Sequence, residues 1–179
     1  GDDDLYVTNF GPNRLFRNDG KGRFAEVAPA AGVALGGWST GCAFGDYDGD
    51  GRLDLFVAGY IVLDLERLPP SPSGAARSAE APHGTAAGKG SGSMQAPYRA
   101  GATECRYRGQ PAMCGPRGLK GAPDHLFRNG GDGTFADRTA SCGIPDDDLT
   151  TCLSWFDYDR DGDLDLYVGR FLDARTDIP

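Results

Sequence analysis

Asp46, Asp48, Asp50 and Asp54 occupy positions 1, 3, 5 and 9 of the stretch Asp46-Tyr47-Asp48-Gly49-Asp50-Gly51-Arg52-Leu53-Asp54. Carboxylates at alternate positions of a tight turn converge on one point, which suits a hard cation such as Ca²⁺, with its about six to eight oxygens at about 2.3 to 2.6 Å. The carbonyl of Arg52 is a fifth candidate donor, and Gly51 lets the backbone reverse without a Cβ in the way. The spacing opens like a helical EF-hand, but that motif requires Glu at position 12, where this chain has Val57. The helical version of the loop is therefore excluded.

The residues that must position these carboxylates read as strands. Leu53-Asp54-Leu55-Phe56-Val57-Ala58 is rich in β-favouring side chains and is bracketed by Gly45 and Gly59. The same unit returns around Asp157-Tyr158-Asp159-Arg160-Asp161-Gly162-Asp163-Leu164-Asp165, where Asp157, Asp159, Asp161, the Asp163 carbonyl and Asp165 are the candidate ligands. Gly1-Asp2-Asp3-Asp4-Leu5-Tyr6-Val7 aligns with Gly162 to Val168. Asp4 is then the last ligand of a third loop whose earlier positions precede residue 1, and the stretch reads as part of a longer repeat array.

A second element recurs with the loop. Asn13-Arg14-Leu15-Phe16-Arg17-Asn18, a glycine turn, and Arg23-Phe24-Ala25-Glu26-Val27 make a β-hairpin, which returns 111 residues later from Asp124 to Arg138. A repeat of about 50 residues with four short strands is the pattern of a propeller blade, each small sheet burying its faces on its neighbours. Strand 1 is expected at about 40–46 and strand 2 at about 53–59, with the hairpin giving strands 3 and 4. The expected organisation is one all-β domain fragment over 1–179. Within it, 1–33 holds strands 2 to 4 of one blade, 38–140 a second blade with an insertion at about 64–120, and 150–171 the start of a third.

Composition agrees with a folded chain. With 39% hydrophobic and 10% aromatic residues, 179 residues can bury a sizeable core. The formal charge is −8, and two bound Ca²⁺ would bring it to −4, so the acidity reads as metal-site charge and argues against nucleic acid as a partner. No run is long and apolar enough to span a membrane in this region.

The stretches "FGDYDGDGRLDLFV", "FDYDRDGDLDLYV" and "NRLFRNDGKGRFAEVAPAAGV" resemble FG-GAP/VCBS repeats, and the hairpin wording is most similar to the ASPIC/UnbV and cartilage-acidic-protein-like group. The resemblance covers nearly all of the chain outside roughly 64–120. It implies an integrin-α-like β-propeller of four-stranded antiparallel blades, of which about two are present. It further implies Ca²⁺ in the blade loops, an extracellular, secreted, cell-surface or periplasmic location, and roles in adhesion or recognition of a protein or glycan. The chain departs from the integrin type where "VAGY" and "VGRF" stand in place of Val-Gly-Ala-Pro.

The insertion has two parts. From Pro69 to Thr103 it is dominated by Pro, Ser, Gly and Ala and is expected to be a flexible loop. Cys105 and Cys114 flank a turn and are expected to pair in an exported protein, the alternative being two exposed thiols. Cys142 and Cys152 bracket a loop and are a second candidate pair, and Cys42 reads as a small core residue. Trp38, Phe44 and Trp155 read as packing between blades, and His125, in the place of Arg14, as a solvated strand position. Gly84 to Gly90 is one residue short of a phosphate loop and lacks the hydroxyl after its lysine.

Three functions remain open on these residues. The first is an exported recognition module stiffened by calcium, with Arg106, Tyr107, Arg108 and Arg117 expected on its recognition surface. The second is a purely structural repeat array, and the third an enzyme with its active site outside this stretch. Ser and His fall into no nucleophile-and-base constellation here, so the expectation is a non-enzyme.

Overall fold

A computed structural model describes residues 2–63, 120–144 and 149–171, and the backbone of 105–107 and 110–112. The chain divides into two units, Gly1–Leu63 with Gly118–Pro179, and Asp64–Arg117. Within the second unit, β6 (Cys105–Tyr107) and β7 (Gln110–Ala112) pair antiparallel. The Cys105–Cys114 pairing and the recognition surface assigned to Arg106, Tyr107, Arg108 and Arg117 depend on side chains outside the described residues.

The first unit is built from antiparallel sheets. β1 (Leu5–Val7), β2 (Arg14–Asn18) and β3 (Phe24–Glu26) form a three-stranded sheet in that order. β4 (Ser39–Gly45), β5 (Asp54–Gly59), β8 (His125–Asn129) and β9 (Phe135–Asp137) form a four-stranded sheet, also in chain order. β10 (Thr150–Phe156) and β11 (Asp165–Arg170) form a two-stranded one. The expected strand at about 40–46 is Ser39–Gly45, and the one at about 53–59 is Asp54–Gly59.

β5 is the buried centre. All six of its residues are buried because the apolar run Leu55-Phe56-Val57-Ala58 meets side chains on both faces. On one face Leu55, Val57 and Phe127 join Tyr6, Leu15 and Val33 in a single core cluster, with Cys42 and Phe44 partly buried against it. On the other, Phe56 meets the edge of Trp155, with ring centroids 6.4 Å apart and planes at 89°. Trp155 also stacks on Tyr47 at 6.5 Å, and its Nε1 donates to the Ala43 carbonyl at 3.4 Å. Gly45 makes this approach available, since a Cβ there would stand 2.7 Å from the indole ring. Trp38 packs edge-on between Phe10 and Tyr60.

The strand-only reading misses two short helical turns, α1 (Ala28–Ala31) and a 3-10 turn at Thr139–Ser141. Pro29 and three alanines favour a helical turn, and Ala28 and Ala31 bury their methyl groups in the core.

A pair of buried polar residues joins consecutive sheets. Asn13, just before β2, accepts from Asn9 N at 2.8 Å and donates to Ser39 Oγ at 2.9 Å. Asp124, the matching residue before β8, accepts from Gly59 N at 2.8 Å and from Thr150 Oγ1 at 2.9 Å. Asn13 thus ties the segment just after β1 to the first residue of β4, and Asp124 ties the last residue of β5 to the first residue of β10. Neither was singled out from sequence, although both lie in the recurring hairpin motif.

The cysteine pairing between Cys142 and Cys152 is corrected by the structure. Both are free thiols, as is Cys42, so there is no disulfide among the described residues. Cys142 Sγ turns back onto the Thr139 carbonyl at 2.9 Å, while Cys152 Sγ lies over Gly169 on β11. The two sulfurs face different neighbours, so bracketing a loop in sequence does not bring them together. His125 is half-buried, stacked on Phe127, with Nδ1 3.3 Å from Asp137 Oδ2.

Candidate metal centres

Each acidic loop joins the two strands of a hairpin, β4 to β5 and β10 to β11. The chain must reverse within a few residues, and the short aspartate side chains satisfy the turn's N–H groups locally. In the first loop Asp46 accepts from Asp50 N at 3.0 Å and from Gly51 N at 2.9 Å, and Asp50 accepts from Arg52 N at 3.0 Å. The second loop repeats this arrangement. Asp157 accepts from Asp161 N at 3.2 Å and from Gly162 N at 3.1 Å, and Asp161 accepts from Asp163 N at 2.9 Å. Gly49 has φ 69°, and Arg160, its counterpart, holds the same left-handed conformation at φ 65°. The turn is conserved between the two loops even at that backbone cost.

One carboxylate oxygen from each of Asp46, Asp48 and Asp50 lies within 4.8 Å of the others, and Asp157, Asp159 and Asp165 are gathered in the same way. Both clusters present oxygen alone, the donor set of a hard divalent cation such as Ca²⁺. Their membership differs by one place. Asp54 is fully buried and outside the first cluster, one oxygen accepting from Asn129 N at 2.7 Å and the other from Tyr47 N at 3.3 Å. Asp165, its counterpart, accepts from Tyr158 N at 2.9 Å and lies within the second cluster. Asp161 lies outside that cluster. Asp4 accepts from Asn18 N at 2.8 Å, the same bond that Asp54 receives from Asn129.

Sequence reasoning missed the contribution of β8. Arg128 donates from Nε to Asp48 Oδ2 at 2.5 Å and from Nη2 to Asp50 Oδ2 at 2.7 Å. Arg52 pairs with Asp50 as well and donates from Nε to the Asn129 carbonyl at 3.1 Å. Asn129 Nδ2 donates to the Leu53 carbonyl at 2.9 Å, as Asn18 Nδ2 does to the Asp3 carbonyl at 3.1 Å. The recurrence of Arg17-Asn18 as Arg128-Asn129 was the available signal.

The electrostatics follow these contacts. The hydrogen bond from Arg128 holds the Asp48 carboxyl below the usual range. Burial pushes Asp54 up, with Asp48 and Asp50 adding to the rise and the N–H groups of Asn129 and Tyr47 opposing it.

A family model described as an FG-GAP-like repeat matches residues 1–57 and 118–168. A search of curated proteins returned no match. The repeat and the two acidic clusters together describe a calcium-associated structural repeat module. Among the described residues no helix is long and apolar enough to cross a membrane.

Proposed function

The chain belongs to the family of FG-GAP-like repeats, and on that premise we propose that it is a calcium-binding, exported β-propeller module that serves in protein or glycan recognition. Repeats of this kind are generally structural and non-catalytic, in keeping with a non-enzyme assignment. The observation that carries the calcium reading is the recurrence of one loop geometry. Asp46 and Asp157 accept from equivalent backbone N–H groups, and each loop gathers three carboxylates within 4.8 Å. Asp46, Asp48, Asp50, Asp54 and the Arg52 carbonyl would hold one Ca²⁺, and Asp157, Asp159, Asp161, Asp165 and the Asp163 carbonyl another. Asp4 holds the place of Asp54 in a third loop, accepting from Asn18 N as Asp54 does from Asn129 N. The cation would supply positive charge that lets mutually repelling carboxylates share one turn.

In this reading the three sheets of the first unit belong to successive blades, 1–33, 38–140 and 150–171. The side-by-side order of β4, β5, β8 and β9 supports it. The wording of the hairpin favours the ASPIC/UnbV and cartilage-acidic-protein-like group, and with it an extracellular or periplasmic place of action. Isothermal titration with CaCl₂ tests the metal reading. The wild-type chain is expected to take up two Ca²⁺, and Asp48→Ala and Asp159→Ala one each. No heat of binding in millimolar calcium defeats it. Recognition is tested on glycan and extracellular-protein arrays with and without a chelator, and the absence of any calcium-dependent ligand would leave the structural-array reading in its place.

A further inference from the structure

We propose that Asn129 is a positioning residue that couples the first acidic loop to the β8–β9 turn, so that calcium held in the loop orders the turn beside it. The inference rests on the reading of that loop as a calcium site. Asn129 is the last residue of β8, and its polar groups meet three consecutive residues of the loop. Its carbonyl accepts from Arg52 Nε at 3.1 Å, its Nδ2 donates to the Leu53 carbonyl at 2.9 Å, and its N–H donates to Asp54 at 2.7 Å. Oδ1 turns the other way and accepts from Gly131 N, inside the hairpin turn, at 2.9 Å.

The preceding hairpin builds the same joint. Asn18, the last residue of β2, donates from its backbone N to Asp4 at 2.8 Å and from Nδ2 to the Asp3 carbonyl at 3.1 Å, and its Oδ1 accepts from Gly20 N at 3.0 Å. Gly20 and Gly131 hold φ 71° and 80°, so the chain reverses in the same left-handed conformation behind each asparagine. Asp19 N then donates to the Arg23 carbonyl at 3.0 Å, as Gly130 N does to the Thr134 carbonyl at 2.8 Å. Two stretches of different sequence thus set one amide between an acidic segment and a hairpin turn.

The place asks for a donor and an acceptor on one short side chain, which the asparagine amide supplies. Aspartate has no donor for the Leu53 carbonyl, and serine keeps an acceptor for the Gly131 N–H but is too short to reach that carbonyl. The amide therefore fixes the stretch of loop that offers the Arg52 carbonyl and the Asp54 carboxylate to the cation. Outer partners of this kind orient metal ligands, and losing one costs about 10- to 100-fold in affinity. The coupling is reciprocal, so a turn-bound Asn129 that tightens calcium is itself held more firmly when calcium is present.

The test titrates CaCl₂ into the full chain carrying Asp159→Ala, which leaves the first loop to be read by itself. Adding Asn129→Ala or Asn129→Ser should weaken calcium about tenfold or more. Every backbone bond of Asn129 persists in both variants. Asn129→Ala in the Asp48→Ala protein should leave the affinity of the second loop unchanged. Hydrogen exchange reads the reciprocal effect: calcium should slow the amides of Gly130 and Thr134 in the Asp159→Ala protein, and should no longer do so once Asn129→Ser is added. Unaltered affinity in Asn129→Ala would overturn the proposal. So would an Asn129→Ser protein that regains both affinity and calcium-dependent protection, since the residue would then only shape its own turn. Failure of the Asp159→Ala protein to bind calcium defeats the calcium reading instead. The two failures are told apart by exchange in chelator, where Asn129→Ser should speed the amides of 50–52 without any metal, and unchanged rates there overturn the coupling itself.

Discussion

Tyr6 shows how a single buried polar group stabilises this fold. Its hydroxyl donates to the Val33 carbonyl at 2.7 Å inside the core, and burial pushes its ionisation up to about 12. Because the folded value lies above the unfolded one, folding favours the neutral phenol. The stability this provides is complete below about pH 10 and is lost as pH rises toward 12. Tyr6→Phe should cost about 1 kcal/mol in urea denaturation at neutral pH, and should flatten the loss of stability above pH 10. Asp124 makes the complementary case. Burial raises its carboxyl, so ionisation opposes folding and stability grows as pH falls through the folded value. Asn13 performs the same tie one repeat earlier with an amide, donating to Ser39 where Asp124 accepts from Thr150. Asp124→Asn should accordingly fold with near wild-type stability and lose that pH dependence. Asp124→Ala leaves Gly59 N and Thr150 Oγ1 without their acceptor and should cost about 2 to 3 kcal/mol by denaturant titration.

At the scale of elements, β10 and β11 form a two-stranded sheet among the described residues, and β10 lies against β4. A two-stranded sheet is marginal by itself, and this one is held by Trp155 and Leu153 lying against the small residues Gly45 and Gly41 of β4. Thr40 Oγ1 adds a bond to the Thr150 carbonyl at 2.8 Å. Gly45→Ala would place a methyl carbon in the indole ring and should cost about 1 to 3 kcal/mol. In a Trp38→Phe background, the emission of Trp155 should shift to the red as the ring is pushed out. An unshifted spectrum with unchanged stability would show that β10 does not depend on this contact. Phe156 stands in β10 where β4 has Gly45, so β10 cannot seat an indole at that place as β4 does.

For the whole chain, with a net charge of −8 and a pI of about 4.6, calcium bound in the proposed loops would relieve charge repulsion and so stabilise the fold. A cation bound to the folded state alone adds about 2.7 kcal/mol per site at a hundredfold excess over its dissociation constant. The melting temperature should rise with CaCl₂ in the wild-type chain and return on adding chelator. Asp48→Ala and Asp159→Ala should each remove part of the rise. Equal melting curves with and without calcium would contradict any structural role for the loops.

Local chemistry determined what could be read directly from the residues. Alternating aspartates and glycines specified the two turns, short apolar runs specified β5 and β11, and the constant offset between hairpins specified their recurrence, because turn conformation and strand pattern depend on near neighbours. Tertiary structure decided which carboxylates meet, that Asp54 is occupied by Asn129 while its counterpart Asp165 joins a cluster, and that Arg128 reaches the first loop. It also left the Cys142 and Cys152 thiols apart and set Asn13 and Asp124 as ties between sheets. These are contacts between residues far apart in sequence, fixed by the register in which Leu55 faces Phe127 and Phe56 faces Leu126. A slip of one residue would turn Arg128 to the opposite face of the sheet, and no spacing within either motif encodes that register.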